Sequence, residues 1–258
     1  MHKRWIAAAL LLLPLALRPG APGASAAEGW LGAENFGGTL AVTTDYVWRG
    51  VSQTDRTPAV QGSFGYASPV GLYAGVWASN VEFGGGIEMD WYGGFARELE
   101  LGLSYDLGVN YYTYPKSHDP TELDFVEVYL SLGYTLPLPF GPSLGLGYNY
   151  SPDFFGEDGD AHYVRGTAAL ALPYGLGLNG EVGYLDVQGD QTTGSGAGLD
   201  GKDGFDYVHY RVGLAYDLLG FTLDLSWHDT TEAAFLESYS GYKEAADGKL
   251  VLTVSRSF

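Results

Sequence analysis

The sequence predicts an all-β fold, namely a transmembrane antiparallel up-and-down β-barrel of about 12 strands. Apolar residues alternate with small or polar ones in segments near the roughly ten residues that a tilted strand needs to cross a bilayer. The connections between the segments are alternately short and long, and the charges of the segments avoid the apolar face. A soluble β-sandwich or a lipocalin-like barrel would alternate in the same way. The charges that avoid the apolar face, opposite a Gly-rich polar face, and the aromatic residues near the strand ends favour the membrane barrel.

The alternation begins in residues 38–80. Leu40, Val42 and Trp48 share one face of a first predicted strand, which runs from 39 to 49. The same period of two predicts the remaining strands near residues 60–67, 72–79, 87–95, 101–112, 126–134, 144–151, 163–172, 176–184, 208–216, 221–228 and 250–258. The resulting strand number is even, as in single-chain outer-membrane barrels.

The predicted connections fall into two groups by length. Short turns are expected near 68–71, 98–100, 135–142, 173–175 and 218–220. Longer loops are expected near 50–58, 80–86, 115–124, 152–160, 188–204 and 231–246, with a short helix from Glu232 to Tyr239 in the last. One rim of the barrel is therefore plain and the other elaborate, as in barrels with short periplasmic turns and long external loops.

Residues 1–27 have the pattern of a secretory signal peptide. Lys3 and Arg4 precede an apolar run, and small residues predict cleavage near Ala26 or Ala27. A short N-terminal segment, 28–37, and a single barrel domain, 38–258, are then expected. Without the basic residues of the leader, the chain has 10 basic and 31 acidic residues, a formal charge of −21. This charge argues against a nucleic-acid partner, and the absence of Cys excludes disulfides and thiolate metal sites.

The face opposite the apolar one is predicted to line the lumen, and it is rich in Gly. Ten charged residues on it are candidate pore-lining residues: Asp45, Arg49, Glu88, Asp90, Asp106, Glu127, Arg165, Glu181, Arg211 and Asp224. A charge facing lipid costs roughly 2–4 kcal/mol at the bilayer midplane, so these side chains are expected inside. Seven are carboxylates and three are guanidinium groups, which predicts preference for cations or neutral solutes.

Two interpretations of these charges stay open. They form a salt-bridge network that fixes the register of the barrel, or a charged constriction that selects solutes. Asp45 and Arg49 are ~13 Å apart along an extended strand, too far for a direct ion pair, so their partners are expected on other strands. Glu88 and Asp90 share one face and are expected to attract a cation or an arginine, such as Arg49.

Aromatic residues cluster near the ends of the predicted strands. We expect them to form interfacial girdles on the outer face: Tyr46, Trp48, Tyr66, Tyr111, Tyr134, Tyr150, Tyr184, Tyr216 and Trp227. The last strand ends in Phe258, which resembles the assembly signal of outer-membrane barrels. It predicts the barrel-assembly machinery as a partner, together with membrane lipid.

Residues 44–129 resemble the TorF-like family of porins. The resemblance is specific in Thr44-Asp-Tyr-Val-Trp-Arg-Gly50, Ser52-Gln-Thr54 and Pro58-Ala-Val-Gln-Gly62. It continues in Gly71-Leu-Tyr-Ala-Gly-Val-Trp-Ala-Ser-Asn-Val81, Glu88-Met-Asp-Trp-Tyr-Gly93, Asp106-Leu-Gly108, Tyr111-Tyr-Thr-Tyr-Pro115 and Glu127-Val-Tyr129. The resemblance implies an outer-membrane β-barrel with a pore, and it supplies no substrate.

The function expected from these features is a porin-like channel in the outer membrane of a Gram-negative bacterium. It would pass small hydrophilic solutes by diffusion after Sec-type export of the chain, and homo-oligomers are compatible with this class. The alternative is a non-conducting barrel with a structural or partner-binding role. Twelve strands lie between the eight whose interior side chains fill and the sixteen of open porins, so the lumen could be narrow or plugged.

Enzymatic and metal-binding functions have weaker support in the sequence. His209 and His228 are expected on adjacent strands with Ser226 and Asp224 nearby, but no nucleophile motif surrounds them. The loop containing Asp153, Glu157, Asp158 and Asp160 has clustered oxygens without an EF-hand pattern, so a solvated acidic loop is favoured over a calcium site. No catalytic residue, metal or cofactor is therefore predicted.

Overall fold

The computed structural model describes residues 30, 32–117, 123–156, 159–189, 204–240 and 243–258. The strands in this part of the chain are β1 (Phe36–Thr43), β2 (Val47–Trp48), β3 (Val51–Ser52), β4 (Ala59–Ala67), β5 (Leu72–Asn80), β6 (Ile87–Glu98), β7 (Leu103–Thr113), β8 (Phe125–Thr135), β9 (Ser143–Ser151), β10 (Ala161–Ala171), β11 (Leu176–Val187), β12 (Phe205–Leu218), β13 (Phe221–Thr230) and β14 (Lys249–Ser257). One helix, α1 (Ala233–Ser240), lies between β13 and β14. Short 3₁₀ turns occupy Ala33–Asn35, Gly84–Gly86, Glu100–Gly102 and Pro173–Gly175.

Twelve of these strands form one closed antiparallel barrel in the order β1-β14-β13-β12-β11-β10-β9-β8-β7-β6-β5-β4. Each strand from β4 onward pairs with the next along the chain. β1 closes the barrel because it pairs with β4 on one side and with β14 on the other. The predicted fold class and strand number are thus confirmed, and the remaining two strands, β2 and β3, form a separate small hairpin.

The first strand differs from its prediction. β1 begins at Phe36, two residues before the expected barrel start at 38, and ends at Thr43 rather than at 49. The chain then turns into the barrel, so residues 44–58 form a loop that we call the infolded loop. It contains β2 and β3. The alternation between Leu40 and Trp48 therefore continues across a strand end, which is why the pattern alone placed the boundary six residues too late.

The short turns lie at one end of the barrel, as predicted, and the long loops at the other. Four of the turns contain consecutive residues with positive φ: Leu101–Gly102, Phe140–Gly141, Tyr174–Gly175 and Leu219–Gly220. Such angles are typical of tight hairpin connections, and Gly at the second position adopts them without steric cost. The helix predicted from Glu232 to Tyr239 is confirmed as α1 within one residue. The predicted loop 188–204 falls mostly outside the described residues.

The outer face of the barrel is an apolar surface. Large exposed side chains on it include Leu40, Val42, Val60, Phe64, Leu72, Trp91, Leu107, Val109, Leu130, Leu132, Leu144, Leu146, Val164, Val182, Val212, Leu214, Leu225, Leu250 and Leu252. Exposing so much apolar surface to water would cost free energy, whereas contact with lipid acyl chains would not. Among the described residues, no helix is both long and apolar enough to cross a bilayer.

The outer-face position predicted for the aromatic residues is confirmed for part of the set. Tyr111, Tyr134, Tyr184, Tyr216 and Trp227 are about two-fifths exposed on the outer face. The prediction is wrong for Tyr46, which is buried inside the barrel, and for Trp48, which packs against the interior cluster described below. Both residues belong to the infolded loop rather than to a wall strand.

Candidate functional site

The charged candidates fall into two groups by the element that carries them. Eight lie at inward-facing positions of wall strands: Glu88 and Asp90 on β6, Asp106 on β7, Glu127 on β8, Arg165 on β10, Glu181 on β11, Arg211 on β12 and Asp224 on β13. Asp45 and Arg49 reach the interior on the infolded loop instead. Their role in lining a pore stays a prediction.

Asp45 organises the infolded loop internally. Its Oδ1 accepts hydrogen bonds from Ser52 Oγ at 2.6 Å and from Thr54 Oγ1 at 3.0 Å, and the Tyr46 amide donates to Thr54 Oγ1. The partners of Asp45 are therefore residues of its own loop, not of other strands as expected. The side chains of Asp45, Ser52 and Thr54 thus hold the β2–β3 hairpin together through contacts within the loop itself.

Arg49 attaches the infolded loop to the far wall. Its Nη2 lies 2.7 Å from both carboxylate oxygens of Glu127 on β8, and both side chains are almost fully buried. The guanidinium also lies over the rings of Trp48 and Tyr163, at 4.3 and 4.0 Å from their centroids. Burial by itself would lower the pKa of Arg49, but the Glu127 carboxylate reverses this and holds the pKa above its ordinary value. The guanidinium therefore stays charged.

Glu127 is the centre of the buried polar contacts. Besides Arg49, it accepts hydrogen bonds from Tyr112 on β7 and Asn149 on β9, at 3.2 and 2.9 Å. The prediction that Arg49 pairs with a residue of another strand is confirmed. Removing one member of a buried pair leaves an uncompensated charge, which costs about 3–5 kcal/mol. The Arg49–Glu127 pair is thus the main polar tether between the infolded loop and the wall.

Glu88 and Asp90 do not bind Arg49, so the expectation is wrong for this arginine, and an attraction of a cation stays a prediction. Glu88 accepts a hydrogen bond of 2.9 Å from the Tyr46 hydroxyl of the infolded loop. Asp90 is also buried, and its Oδ1 has no hydrogen-bond partner among the described residues. Both carboxylates therefore lie beneath the infolded loop rather than along an open surface.

An apolar cluster fills the barrel at the end that carries the long loops. We call it the aromatic plug, and its buried members are Tyr46, Ala59, Val81, Tyr112, Tyr114, Phe125, Phe154, Ala161, Tyr163, Leu185, Val187, Tyr207, Leu236 and Ala246. Trp48 at the tip of the β2–β3 hairpin stacks on Phe154 at 6.0 Å and meets the edges of Tyr112 and Phe125. Such ring pairs contribute about 0.5–1.5 kcal/mol each beyond burial.

The opposite half of the interior, towards the short turns, has a different lining. Glycines occupy many of its inward positions. Arg165, Glu181 and Arg211 are partly accessible, whereas Asp224 is buried. Arg211 pairs with Asp224 across neighbouring strands, and both contact Asn179. Arg165 lies 3.8 Å from Glu181. These pairs join neighbouring strands, as the register interpretation requires, and they leave space that water can enter.

Tyrosine hydroxyls narrow this half. Tyr73 donates to Asp106 at 2.5 Å and contacts the Tyr129 hydroxyl. Tyr92 projects into the same region and meets Gly75 across the β5–β6 pair. The short-turn half is therefore a polar chamber of limited width.

Lys249 is an interior cation that the sequence analysis missed. It is the first residue of β14 and is nearly fully buried. Its Nζ donates to the carbonyls of Gly50, at 3.4 Å, and Ala245. The signal was available, because Lys249 has the same parity as the inward-facing Val251 and Thr253, but the predicted strand began one residue later.

The candidate nucleophile–histidine group does not form a triad. His228 Nε2 lies 3.0 Å from Ser226 Oγ on the same strand, whereas His209 pairs with Tyr163. The Asp224 carboxylate bonds to Arg211 and Asn179. No described carboxylate thus orients the Ser226–His228 pair for general-base catalysis.

The acidic loop considered as a calcium site, residues 153–160, has no support from the residues that the structure describes. No group of His, Asp and Glu in the described ranges has the geometry to hold a metal ion. Asp160 instead accepts a hydrogen bond of 3.2 Å from Tyr150. Glu157 and Asp158 of the acidic loop lie outside the described residues.

The fold and its interior define a closed β-barrel with an apolar outer face and an ionisable interior. The chain belongs to the Gcw_chp family, which is described as a bacterial protein of unknown function and whose model matches residues 27–258. No curated protein sequence matches the chain. The family assignment therefore supplies a group of related proteins but no activity.

Solved structures with this barrel include two porins. The NanC porin shares 10% identity over 84% of this chain and 97% of its own, with a TM-score of 0.52. The KdgM porin shares 8% identity over 86% and 99%, with a TM-score of 0.55. A complex of the KdgM porin with disordered oligogalacturonate gives a TM-score of 0.53 at 8% identity over 86% and 98%. At these identities the similarity shows a shared fold.

Proposed function

We propose that this protein is a porin-like channel in the outer membrane of a Gram-negative bacterium, through which small hydrophilic solutes diffuse. One observation carries the proposal: a closed 12-strand barrel places ionisable side chains on its inner face and apolar ones on its outer face. This is the arrangement that a water-filled path through lipid needs. The similarity in fold to the NanC and KdgM porins supports the same class, as does the resemblance of residues 44–129 to the TorF-like family.

The proposed preference is for cations or neutral solutes. Seven candidate carboxylates face the interior against Arg49, Arg165, Arg211 and Lys249. In the accessible half, Asp106, Glu181 and Asp224 outnumber Arg165 and Arg211, and an excess of carboxylates in a narrow polar space raises the local concentration of cations and repels anions. The KdgM porin has been solved with oligogalacturonate, but an acidic interior would repel such a polyanion, so we do not extend that ligand to this chain.

The aromatic plug favours a second candidate, a barrel that does not conduct. With the infolded loop in place, buried rings and aliphatic side chains fill the loop end, and conduction requires this loop to move. A barrel in which the loop stays fixed would have a structural or partner-binding role. The two candidates share the fold and differ only in the mobility of residues 44–58.

Several further parts of the proposal concern export and assembly. Residues 1–27 are proposed as a Sec-type signal peptide. The last strand is proposed as the contact with the barrel-assembly machinery. Its support is the backbone pairing of Phe258 with Gly38, at 3.0 and 3.1 Å, which places the end of β14 at the closing seam of the barrel. Association of several copies through the outer face, as a homo-oligomer, is compatible with the proposal.

The test is single-channel conductance of the refolded mature protein in a planar bilayer, with reversal potentials in a salt gradient. We expect cation-selective steps, and the paired change Asp106→Asn with Glu181→Gln should reduce that selectivity because both side chains lie in the accessible half. Glu88→Gln with Asp90→Asn should instead change how often the channel opens. Anion-selective reversal potentials would overturn the cation preference. A heat-modifiable, folded barrel that stays silent would support the non-conducting candidate.

A further inference from the structure

The wall of the barrel has a gap at the loop end of the seam between its first and last strands. The pairing of β1 with β14 ends at Thr43 and Thr253, yet β14 continues as far as Lys249. Thr44 still bonds to Leu252 through its amide and its hydroxyl, at 3.0 and 3.1 Å. The chain then turns inward at Asp45, so the beginning of β14 has no strand beside it on this side.

An open cleft of about 330 Å³ occupies this gap, and we call it the seam cleft. Its lining includes Thr44, Asp45, Arg56, Trp227, Lys249 and Leu250. Trp227 and Leu250 are cross-strand partners on the outer face, and each is about half exposed. The cleft therefore opens through the barrel wall with an apolar lip towards lipid, while its floor is polar and charged.

The carboxylate on the floor lacks half of its hydrogen bonds. Asp45 is only 6% exposed, and its Oδ1 is occupied by Ser52 and Thr54. Its Oδ2 has no partner among the described residues. Burial raises the pKa of Asp45, and the Ser52 and Thr54 hydrogen bonds and the charges of Lys249 and Arg56 oppose this. A ligand that donates an O–H or N–H to Oδ2 would remove the cost of the unmet bond.

The two cations of the cleft retain donors. Lys249 Nζ bonds to two backbone carbonyls, and an ammonium has three N–H groups. Arg56 uses one nitrogen for Glu244, at 2.9 Å, and another for the Gly248 carbonyl, at 3.2 Å, but a guanidinium has five N–H groups. Among the residues that line the cleft, these two cations face one carboxylate, Asp45, and Arg56 also pairs with Glu244. The N–H groups that neither cation has used suit an anionic group.

We propose that the seam cleft binds the head group of a phosphorylated glycolipid in the membrane leaflet at the loop end. Its phosphate contacts Arg56 and Lys249, and a sugar hydroxyl donates to Asp45 Oδ2. The acyl chains continue over Trp227 and Leu250 along the outer apolar face. A soluble anion would leave the apolar lip unused, and a neutral lipid would leave the cations unused. Asp45 and Lys249 also belong to the interior charges, but the cleft opens through the wall towards lipid, so binding of a lipid head group goes beyond the channel function.

The test measures lipid retention by native mass spectrometry of the refolded mature protein in dodecyl maltoside. The probes are diphosphoryl lipid A, the same glycolipid without phosphates, and dioleoyl phosphatidylethanolamine. We expect a 1:1 adduct with diphosphoryl lipid A. Affinity should fall about 10-fold for the dephosphorylated form and for Arg56→Gln, since a charge-assisted contact is lost and tenfold corresponds to about 1.4 kcal/mol. Asp45→Asn should lower the affinity for both glycolipids, because both would donate a sugar hydroxyl to Asp45.

The matched control is Arg256→Gln, which removes an arginine far from the cleft, at the end of β14 opposite Lys249, where it lies over Phe221. This variant should bind diphosphoryl lipid A like the unmodified protein. Equal losses in Arg56→Gln and Arg256→Gln, or equal retention of phosphatidylethanolamine and lipid A, would overturn the proposal. Arg56 is one-third exposed, so its replacement should leave the barrel folded, which heat modifiability checks. Unchanged conductance in Arg56→Gln would separate this site from the channel.

Discussion

The two halves of the barrel interior are built from the same strands but have different contents. Towards the loop end, Leu185, Val187 and Ala161 are at most 2% exposed, and they belong to the same buried cluster as Tyr46 of the infolded loop. Towards the short turns, the same strands present Gly, Ser and partly accessible ion pairs such as Arg165 and Glu181. One half is thus packed like a protein core, whereas the other is a polar chamber.

The difference shows that an inward-facing position does not by itself line a pore. Glu88 and Asp106 lie on adjacent strands, and both point inward. The infolded loop covers Glu88 through Tyr46, and Asp106 stays in the chamber with Tyr73. The contribution of each carboxylate to selectivity therefore depends on its depth relative to residues 44–58.

The largest expected effect comes from breaking the tether of the infolded loop. Glu127→Gln leaves the buried Arg49 guanidinium without its countercharge, and we expect a loss of about 3–5 kcal/mol in unfolding free energy. Urea unfolding in detergent measures it, and planar-bilayer recordings should show more frequent openings. Glu181→Gln is the matched control in the chamber, since its ion pair with Arg165 is longer, at 3.8 Å, and both side chains are less deeply buried than Arg49 and Glu127. An equal loss of unfolding free energy in Glu127→Gln and Glu181→Gln would contradict a tightly packed loop end and an accessible chamber.

A smaller effect is expected from the apolar packing of the loop end. Leu185→Ala creates a cavity at a fully buried position on β11, at a cost of about 2–5 kcal/mol. Val182→Ala on the same strand faces outward and is half exposed, so it should cost less. The same urea titration compares them. A stability of Leu185→Ala equal to that of Val182→Ala would contradict a packed core.

The third prediction compares the two faces of the wall. Leu146 lies in the middle of β9 on the outer face, and Leu146→Arg should cost roughly 2–4 kcal/mol because it places a charge in lipid. Thr167→Arg on β10 points into the chamber and should be tolerated. Folding yield into lipid vesicles, assayed by heat modifiability, distinguishes them. Efficient folding of both variants would argue against a lipid-facing outer surface.

The smallest effect concerns charge within the chamber. Asp106→Asn should lower the cation-to-anion permeability ratio by about twofold, because one of several carboxylates is removed. The reversal potential in a salt gradient measures this ratio. Asp224→Asn is a poorer choice, since Asp224 is paired with Arg211. An increase in cation preference would contradict the acidic lining.

The sequence predicted the repetitive part of this molecule well. The strands from β4 to β14 lie where the alternation placed them, because period-two patterning and the cost of charge in lipid act on each residue independently of its neighbours in space. Eight of the ten charged candidates accordingly occupy inward positions of the wall. The same argument would have found Lys249 if the last strand had been extended by one residue.

The pattern failed where chain direction changes without a change in periodicity. Residues 44–49 continue the alternation of β1, yet Asp45, Tyr46 and Arg49 leave the wall and enter the barrel. The reason is tertiary: Glu127, Tyr163 and Glu88, from three different strands, provide contacts that a wall position could not. No local signal in the sequence encodes those partners.

By itself, then, the sequence determined the closed 12-strand barrel, its apolar outer face and its ionisable interior, because these follow from side-chain alternation and the expense of charges in lipid. Only the tertiary structure decided that residues 44–58 fold inward, that Arg49 pairs with Glu127 and that a cleft remains between β1 and β14. Those features depend on which side chains, far apart in the sequence, meet inside the closed barrel, and sequence position alone does not reveal these contacts.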